Sequence, residues 1–501
     1  MKMKKLIYIY LLFFAAVTSS CEDNLLDGVT SVPTDPPEVP ATAGDADFGN
    51  FISLGNSLTA GFMDGALYNR GQSFSFPAQL HSSMAQISGS GAPSGTFNQP
   101  DINSENGFFG TAGGGSVILG RLKLNANALP APTIPGDVPG PYSGDKSALN
   151  NFGVPGILLG QLLSPDTGNP NSPLFNPLYA RFATQPGVST ILGDALATQP
   201  TFFTLWIGNN DVLGYATSGA TRDEIFTDPA TFEFLYGQAL GGILSSGAKG
   251  VVANIPSVTD IPFFKTVPWN ALPLDAATAA GTNAAFADYN GGLAAALANS
   301  IITQEEHDLR VINFVEGNNG FLVEDPELTD VATASGGQIP IPKYRQTKST
   351  DLVTLTAASI LGTRVDPEDP ATTRGVGVPL ENKDFLTAAE IAEITQRTTE
   401  LNTIIANQVS TLGGDDVALL DMNAIFNDFA TNGVSRYYDV TIDPTLAPPF
   451  GGFSLDGVHP NARGYAFVAN LFIDAINAKF GSTLPYVSLE AAPGNDFPPA
   501  Q

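Results

Sequence analysis

Short apolar runs alternating with helix-length stretches constrain this chain more than any other feature. Thr201–Ile207 (Thr-Phe-Phe-Thr-Leu-Trp-Ile) is the clearest of them. It carries β-forming residues without polar alternation and is stopped by Gly208, which predicts a strand buried on both faces. Phe48–Leu54, ending in Gly55, reads as a strand entering a tight loop; Ala148–Val154, Gly250–Ile255 and Val417–Asp421 read as further strands. Helical spacing is predicted over 229–246, Thr387–Leu412 and Arg463–Phe480. Strands alternating with helices imply a parallel sheet covered on both faces, with any chemistry beyond the carboxyl ends of the strands. Pro- and Gly-rich sequence over 85–145 predicts long loops, and about 266–386 interrupts the alternation as an insertion.

The chain has 501 residues, 43% of them hydrophobic and only 14% charged, which suits a large folded core rather than disorder. Its net charge is −27. Without Lys2, Lys4 and Lys5, 19 basic side chains stand against 49 acidic ones. Such a surface repels phosphate backbones and anionic headgroups, so nucleic-acid binding is excluded as an expectation.

The single cysteine, Cys21, rules out an intrachain disulfide and a cysteine metal site. Met1–Lys5 is a short basic segment, Leu6–Val17 an unbroken apolar run, and Thr18-Ser19-Ser20 a small-residue stretch before Cys21. The run is too short to span a bilayer and suits a signal peptide. The whole resembles a bacterial lipobox, with Thr18 where leucine is usual, which implies cleavage after residue 20 and lipidation of Cys21. Glu22-Asp23 resembles the acidic export signal of surface lipoproteins in Bacteroidetes-like bacteria. The expected location is therefore the cell envelope, held by the N-terminal lipid alone, with residues 21–47 as a Pro-rich tether. The alternative is a secretory signal with an incidental cysteine.

Only three histidines occur, His81, His307 and His459, so a site built from several imidazoles is not expected. His459 stands in Ser454-Leu455-Asp456-Gly457-Val458-His459-Pro460, a loop just before a helix. Asp456 lies close enough in sequence to hold the imidazole, leaving the other ring nitrogen free for a proton. At the front of the chain, Gly55-Asn56-Ser57-Leu58-Thr59-Ala60-Gly61-Phe62 follows a strand directly. A serine there can expose its Oγ and lend its N–H to an oxyanion, or it can simply cap a helix beginning near Leu58. No G-x-S-x-G nucleophile elbow occurs.

Taken together, these segments resemble the SGNH (GDSL-like) hydrolase superfamily. Gly55–Leu58 resembles its first block, Asn151–Gly156 its second, Gly208-Asn209-Asn210-Asp211 its third, and Asp456-Gly457-Val458-His459 its fifth. Gly250–Pro262 resembles its variable fourth. The resemblance implies a three-layer α/β/α sandwich with a parallel, flavodoxin-like sheet, over 48–480, carrying insertions at about 63–147 and 266–386 and followed by a tail, 481–501. It implies Ser57 as nucleophile, His459 as base and Asp456 as its orienting acid. The oxyanion would be held by the Ser57 and Gly156 backbone N–H groups and the Asn210 side chain. The implied reaction is hydrolysis of an acyl ester, small or polymer-bound, through an acyl-enzyme, without cofactor or metal.

Asn56 replaces the usual first-block aspartate, which retains shape and loses charge. Aromatic residues in and beside the insertions, among them Phe74, Phe76, Phe109, Phe263, Phe264 and Trp269, either line a roof over the site or form core. Three functions stay open on sequence alone: an esterase, lipase or thioesterase for acyl chains, a carbohydrate O-deacetylase, and a surface binding protein on a silent scaffold. The sequence does not indicate an oligomeric state.

Overall fold

The computed structural model describes residues 40–125, 130–433, 435–437 and 440–497. The signal segment, Cys21 and most of the expected tether lie outside them. Five parallel strands form the central sheet: β1 (Phe51–Gly55), β2 (Asn151–Gly153), β3 (Phe202–Trp206), β4 (Lys249–Ala253) and β5 (Val417–Leu420). Their spatial order is β5-β4-β3-β1-β2. Chain direction across the sheet therefore reverses between β1 and β3, the arrangement of a flavodoxin-like sheet. Every residue of β1 and β3 is buried, which is why both read as unbroken apolar runs.

Right-handed crossovers place the helices on opposite faces, because β1 to β2 runs one way and β3 to β4 to β5 the other. Helix α2 (Phe76–Met84) packs with α7 (Ala462–Phe480) on one face, where Phe76 stacks on Phe472 with ring centroids 4.6 Å apart. On the other face α4 (Pro229–Leu244) packs along α5 (Ala388–Gln408). The start of α5 is set by a capping box: the Glu390 N–H donates to Thr387 Oγ1 and the Thr387 N–H donates to Glu390 Oε2. Short helices α1 (Ser57–Ala60) and α3 (Asn210–Thr217) follow β1 and β3, and α6 (Met422–Asn432) follows β5. Among the described residues, no helix is long and apolar enough to cross a membrane.

Expectation and structure part in three places. Residues 41–47, taken as the end of the tether, are packed: Ala43 and Ala46 are buried, and the Asp45 N–H donates to the Phe480 carbonyl. The tail is likewise bound, with Leu484, Leu489 and Ala492 buried. Both segments lack periodicity because each covers the body singly rather than forming an element. Within 85–145, expected as loops, lie two small antiparallel pairs, Gly110–Ala112 with Val117–Leu119 and Leu122–Leu124 with Pro130–Pro132. Most of the aromatics are core: Phe76, Phe263 and Phe264 join the main cluster, while Phe109 is exposed. The segment 267–385 has a second cluster of its own, around Leu293, Ile312, Phe321 and Leu322.

Candidate active site

Ser57 is the first residue of α1, directly after β1. The helix is capped by Asn56, whose Oδ1 accepts the Leu58 N–H at 3.2 Å, so the capping role open to Ser57 falls to its neighbour. The Asn56 side chain is buried and its Nδ2 has no partner among the described residues. The serine hydroxyl is thereby left for other work. Ser57 Oγ lies 2.8 Å from His459 Nε2, and His459 Nδ1 lies 2.9 Å from Asp456 Oδ2. The two ends of this relay are some 400 positions apart in sequence.

Asp456 is fixed on both oxygens. Oδ1 accepts the Val458 and His459 N–H groups at 2.8 and 2.9 Å, and Oδ2 accepts the Gly65 N–H at 2.9 Å. Burial pushes this carboxyl up, but the facing imidazole, its hydrogen bond and the backbone donors outweigh it and hold the carboxyl at about 2. Asp456 is thus a fixed negative charge that holds the His459 ring by Nδ1. The Phe62 ring lies 4.8 Å from the His459 ring, and the Tyr465 hydroxyl anchors the Phe62 carbonyl.

The second and third blocks meet beside α1. Gly153 ends β2 so close to α1 that a Cβ would lie 2.3 Å from the Ala60 nitrogen. The loop that follows is pinned at four points: Val154 N–H to the Gly55 carbonyl, Asn176 Nδ2 to the Pro155 carbonyl, Asn210 Nδ2 to the Ile157 carbonyl, and Leu159 N–H to Asp211 Oδ2. Gly156, between them, is exposed and has φ +81°, a conformation that favours glycine. Neither its N–H nor that of Ser57 has an acceptor among the described residues. Asn210 carries a second amide proton beyond the one given to Ile157. These are the donors an oxyanion needs.

Asp211 is buried beneath this loop, where it also accepts the Thr227 hydroxyl at 2.7 Å. Burial raises its pKa from 3.8 to about 6 despite those bonds. The folded state therefore holds the extra proton between these values, so the group's contribution to stability is full below 3.8 and lost as pH rises through about 6. The loss amounts to about 3 kcal/mol. Asp211→Asn retains an oxygen for Leu159 and a partner for Thr227 without the charge. In urea titrations, its stability relative to the parent should rise by about 3 kcal/mol between about pH 4 and pH 8. A difference independent of pH would refute this account.

An apolar pocket lies beside the serine turn and the Asp456–His459 loop, though Ser57, Asp456 and His459 do not line it. Its lining begins with Leu58, Val458 and Pro460, the chain neighbours of Ser57 and His459, and continues between α6 and α7 to Ile425, Phe429 and Phe467. Nothing in the sequence marks Ile425, Phe429 or Phe467 as lining a cleft, because an apolar helix face serves a core and a cleft alike. Both insertions also reach the Asp456–His459 loop. The Phe263 N–H, just ahead of the second, donates to the Gly457 carbonyl at 2.8 Å, and a Cβ on Gly457 would meet Leu355 at 2.9 Å.

The family model of GDSL-like lipase/acylhydrolase matches residues 52–472, which takes in β1, the serine turn, the Asn210–Asp211 loop and the Asp456–His459 loop. The chain belongs to this family. Comparison with curated proteins returns no match. For a GDSL-like acylhydrolase, the topology accounts for where the site lies: Ser57 and Asn210 follow the adjacent strands β1 and β3, at the point where strand order reverses.

Proposed function

We propose that the protein is a serine ester hydrolase acting on acyl esters through an acyl-enzyme. The observation that carries this reading is the unbroken relay from Ser57 Oγ through His459 to Asp456. His459 Nε2 takes the serine proton as Oγ attacks the ester carbonyl. The carbonyl oxygen, now negative, is held by the Ser57 and Gly156 N–H groups and the free amide proton of Asn210. Collapse expels the alcohol, which receives the proton from His459; water then repeats the sequence and frees the acid. Each oxyanion donor is worth about 10²–10³ in rate.

The pocket between α6 and α7 favours substrates with an acyl chain of several carbons over acetylated sugars. A polysaccharide deacetylase would want several exposed aromatic faces near the serine; Phe263 and Phe264 are buried, and Phe109 alone of the aromatics named above is exposed. A silent binding scaffold would not need a complete relay. The N-terminal segment supports secretion and lipidation at Cys21, which would hold the enzyme at the cell envelope with no other membrane contact.

The test is hydrolysis of acetyl, butyryl and octanoyl p-nitrophenyl esters by the protein lacking residues 1–21, with Ser57→Ala beside it. Activity rising with chain length and lost in the variant supports the reading. A folded protein that hydrolyses none of them and takes no fluorophosphonate on Ser57 refutes it.

A further inference from the structure

The relay above accounts for Ser57, His459 and Asp456 but not for a second buried carboxylate behind them. Met63-Asp64-Gly65-Ala66 forms a two-residue hairpin: Met63 and Ala66 exchange both backbone hydrogen bonds, at 3.0 and 3.1 Å. Asp64 and Gly65 have φ +55° and +74°, so both central residues are left-handed, as a type I′ turn requires. This conformation turns two successive N–H groups onto the loop that carries the acid. The Asp64 N–H donates to Ser454 Oγ at 3.0 Å and the Gly65 N–H to Asp456 Oδ2 at 2.9 Å. The oxygen receiving the Gly65 proton is the one that faces His459 Nδ1.

The Asp64 side chain closes the same contact from the other direction. Its Oδ1 accepts the Leu455 N–H at 3.0 Å and its Oδ2 accepts the Tyr68 hydroxyl at 2.6 Å. Arg121 lies 3.5 Å from Oδ2 and over the Tyr68 ring. The Leu122 N–H, at the start of a small strand of the first insertion, donates to the Asp64 carbonyl at 2.8 Å. Burial, with the Asp456 charge nearby, holds the Asp64 carboxyl above the usual range against the opposing pull of Tyr68, Leu455 and Arg121, and both of its oxygens accept from donors.

We propose that Asp64 is a positioning residue, holding the Ser454–Asp456 loop so that the Gly65 N–H and His459 Nδ1 share Asp456 Oδ2. This rests on the esterase reading and adds a role for the first insertion: Tyr68 and Arg121 brace the carboxylate that aligns the acid–base pair. Asp64 touches neither the serine nor the ester, so its removal slows the chemical step without weakening substrate binding.

Two substitutions separate its parts. Asp64→Asn keeps the turn, since Asn-Gly is equally favoured there, but puts a donor in place of one acceptor oxygen. Asp64→Ala removes the carboxylate and the turn preference together. On an ester the parent hydrolyses, kcat should fall about 10-fold in the first and about 100-fold in the second, with KM within about twofold. Tyr68→Phe, which removes one hydroxyl from the same carboxylate, should give a smaller loss in the same direction. Proton NMR supplies a readout that a purely structural role would not move. The Nδ1–H resonance of His459 should weaken or shift upfield in both Asp64 variants, while the ring signals of His81 and His307 stay in place.

The proposal is overturned if kcat in both variants stays within about twofold of the parent, or if the His459 resonance is unchanged. A general shift of the His81 and His307 signals would also overturn it, because Asp64 would then be serving the fold at large. Should the parent hydrolyse no ester, the enzyme reading fails, but the resonance comparison still decides whether Asp64 positions Asp456 and His459.

Discussion

Asp456→Asn should lower kcat by about 10⁴-fold while leaving the fold intact, and the hydrogen bonds around Asp456 explain why. The carboxylate accepts four donors: the Val458 and His459 N–H groups on Oδ1, and the Gly65 N–H and the imidazole on Oδ2. An amide has only one oxygen. With that oxygen on the two backbone donors of the 456–459 loop, the NH2 group faces His459 Nδ1. Nδ1 must then accept, which moves the ring proton to Nε2 and aims it at Ser57 Oγ. A histidine in that tautomer cannot take the serine proton. Ser57→Ala should cost more, about 10⁶-fold, and adding Asp456→Asn to it should cost little further, because the three residues act as one unit. Steady-state kinetics on one activated ester, with circular dichroism to confirm folding, decides it. If the double variant is slower than Ser57→Ala by the full factor of Asp456→Asn, the residues act independently and the relay is wrong.

The parts of this site that could be read from sequence are those in which local residues define local geometry. β3 was legible because a strand buried on both faces has no room for polar alternation, and Gly208 stops it sharply. Asp456 and His459 were legible because a carboxylate and an imidazole three residues apart can meet within one loop. Ser57 was identifiable only by its motif, since its helix is a single turn capped by Asn56. Asn56 keeps the shape of the usual aspartate without its charge, and its oxygen does the capping that α1 needs. What could not be read depends on long-range contacts. Asp64-Gly65 suits a tight turn, but nothing local connects that turn with Asp456, 391 positions from Gly65. Thr42 meets Thr483 across 441 positions, which is why the packed ends looked like tether and tail. The pocket was hidden for a related reason: the same apolar stripe on a helix serves a core and a cleft, and only the spacing of α6 from α7 tells them apart.

That pocket makes the second large prediction, a change of chain-length preference from one substitution. Ile425 is half-buried on α6 and lines the pocket, so a larger side chain there can extend into empty space rather than into packed core. Ile425→Trp should therefore obstruct the cleft without overpacking the sheet. Each methylene buried from water contributes about 0.8 kcal/mol, or about fourfold in kcat/KM when the chain is held through the transition state. Shutting out about four methylenes then costs an octanoyl ester about 200-fold. An acetyl ester has no chain to place there, and its kcat/KM should stay within about threefold of the parent, because Ser57, His459 and the oxyanion donors are untouched. The comparison of the two esters separates the pocket from the chemistry. If both fall together, Ile425 supports the relay rather than the acyl chain. If neither falls, the chain lies elsewhere, and the cleft between α6 and α7 has no part in choosing the substrate.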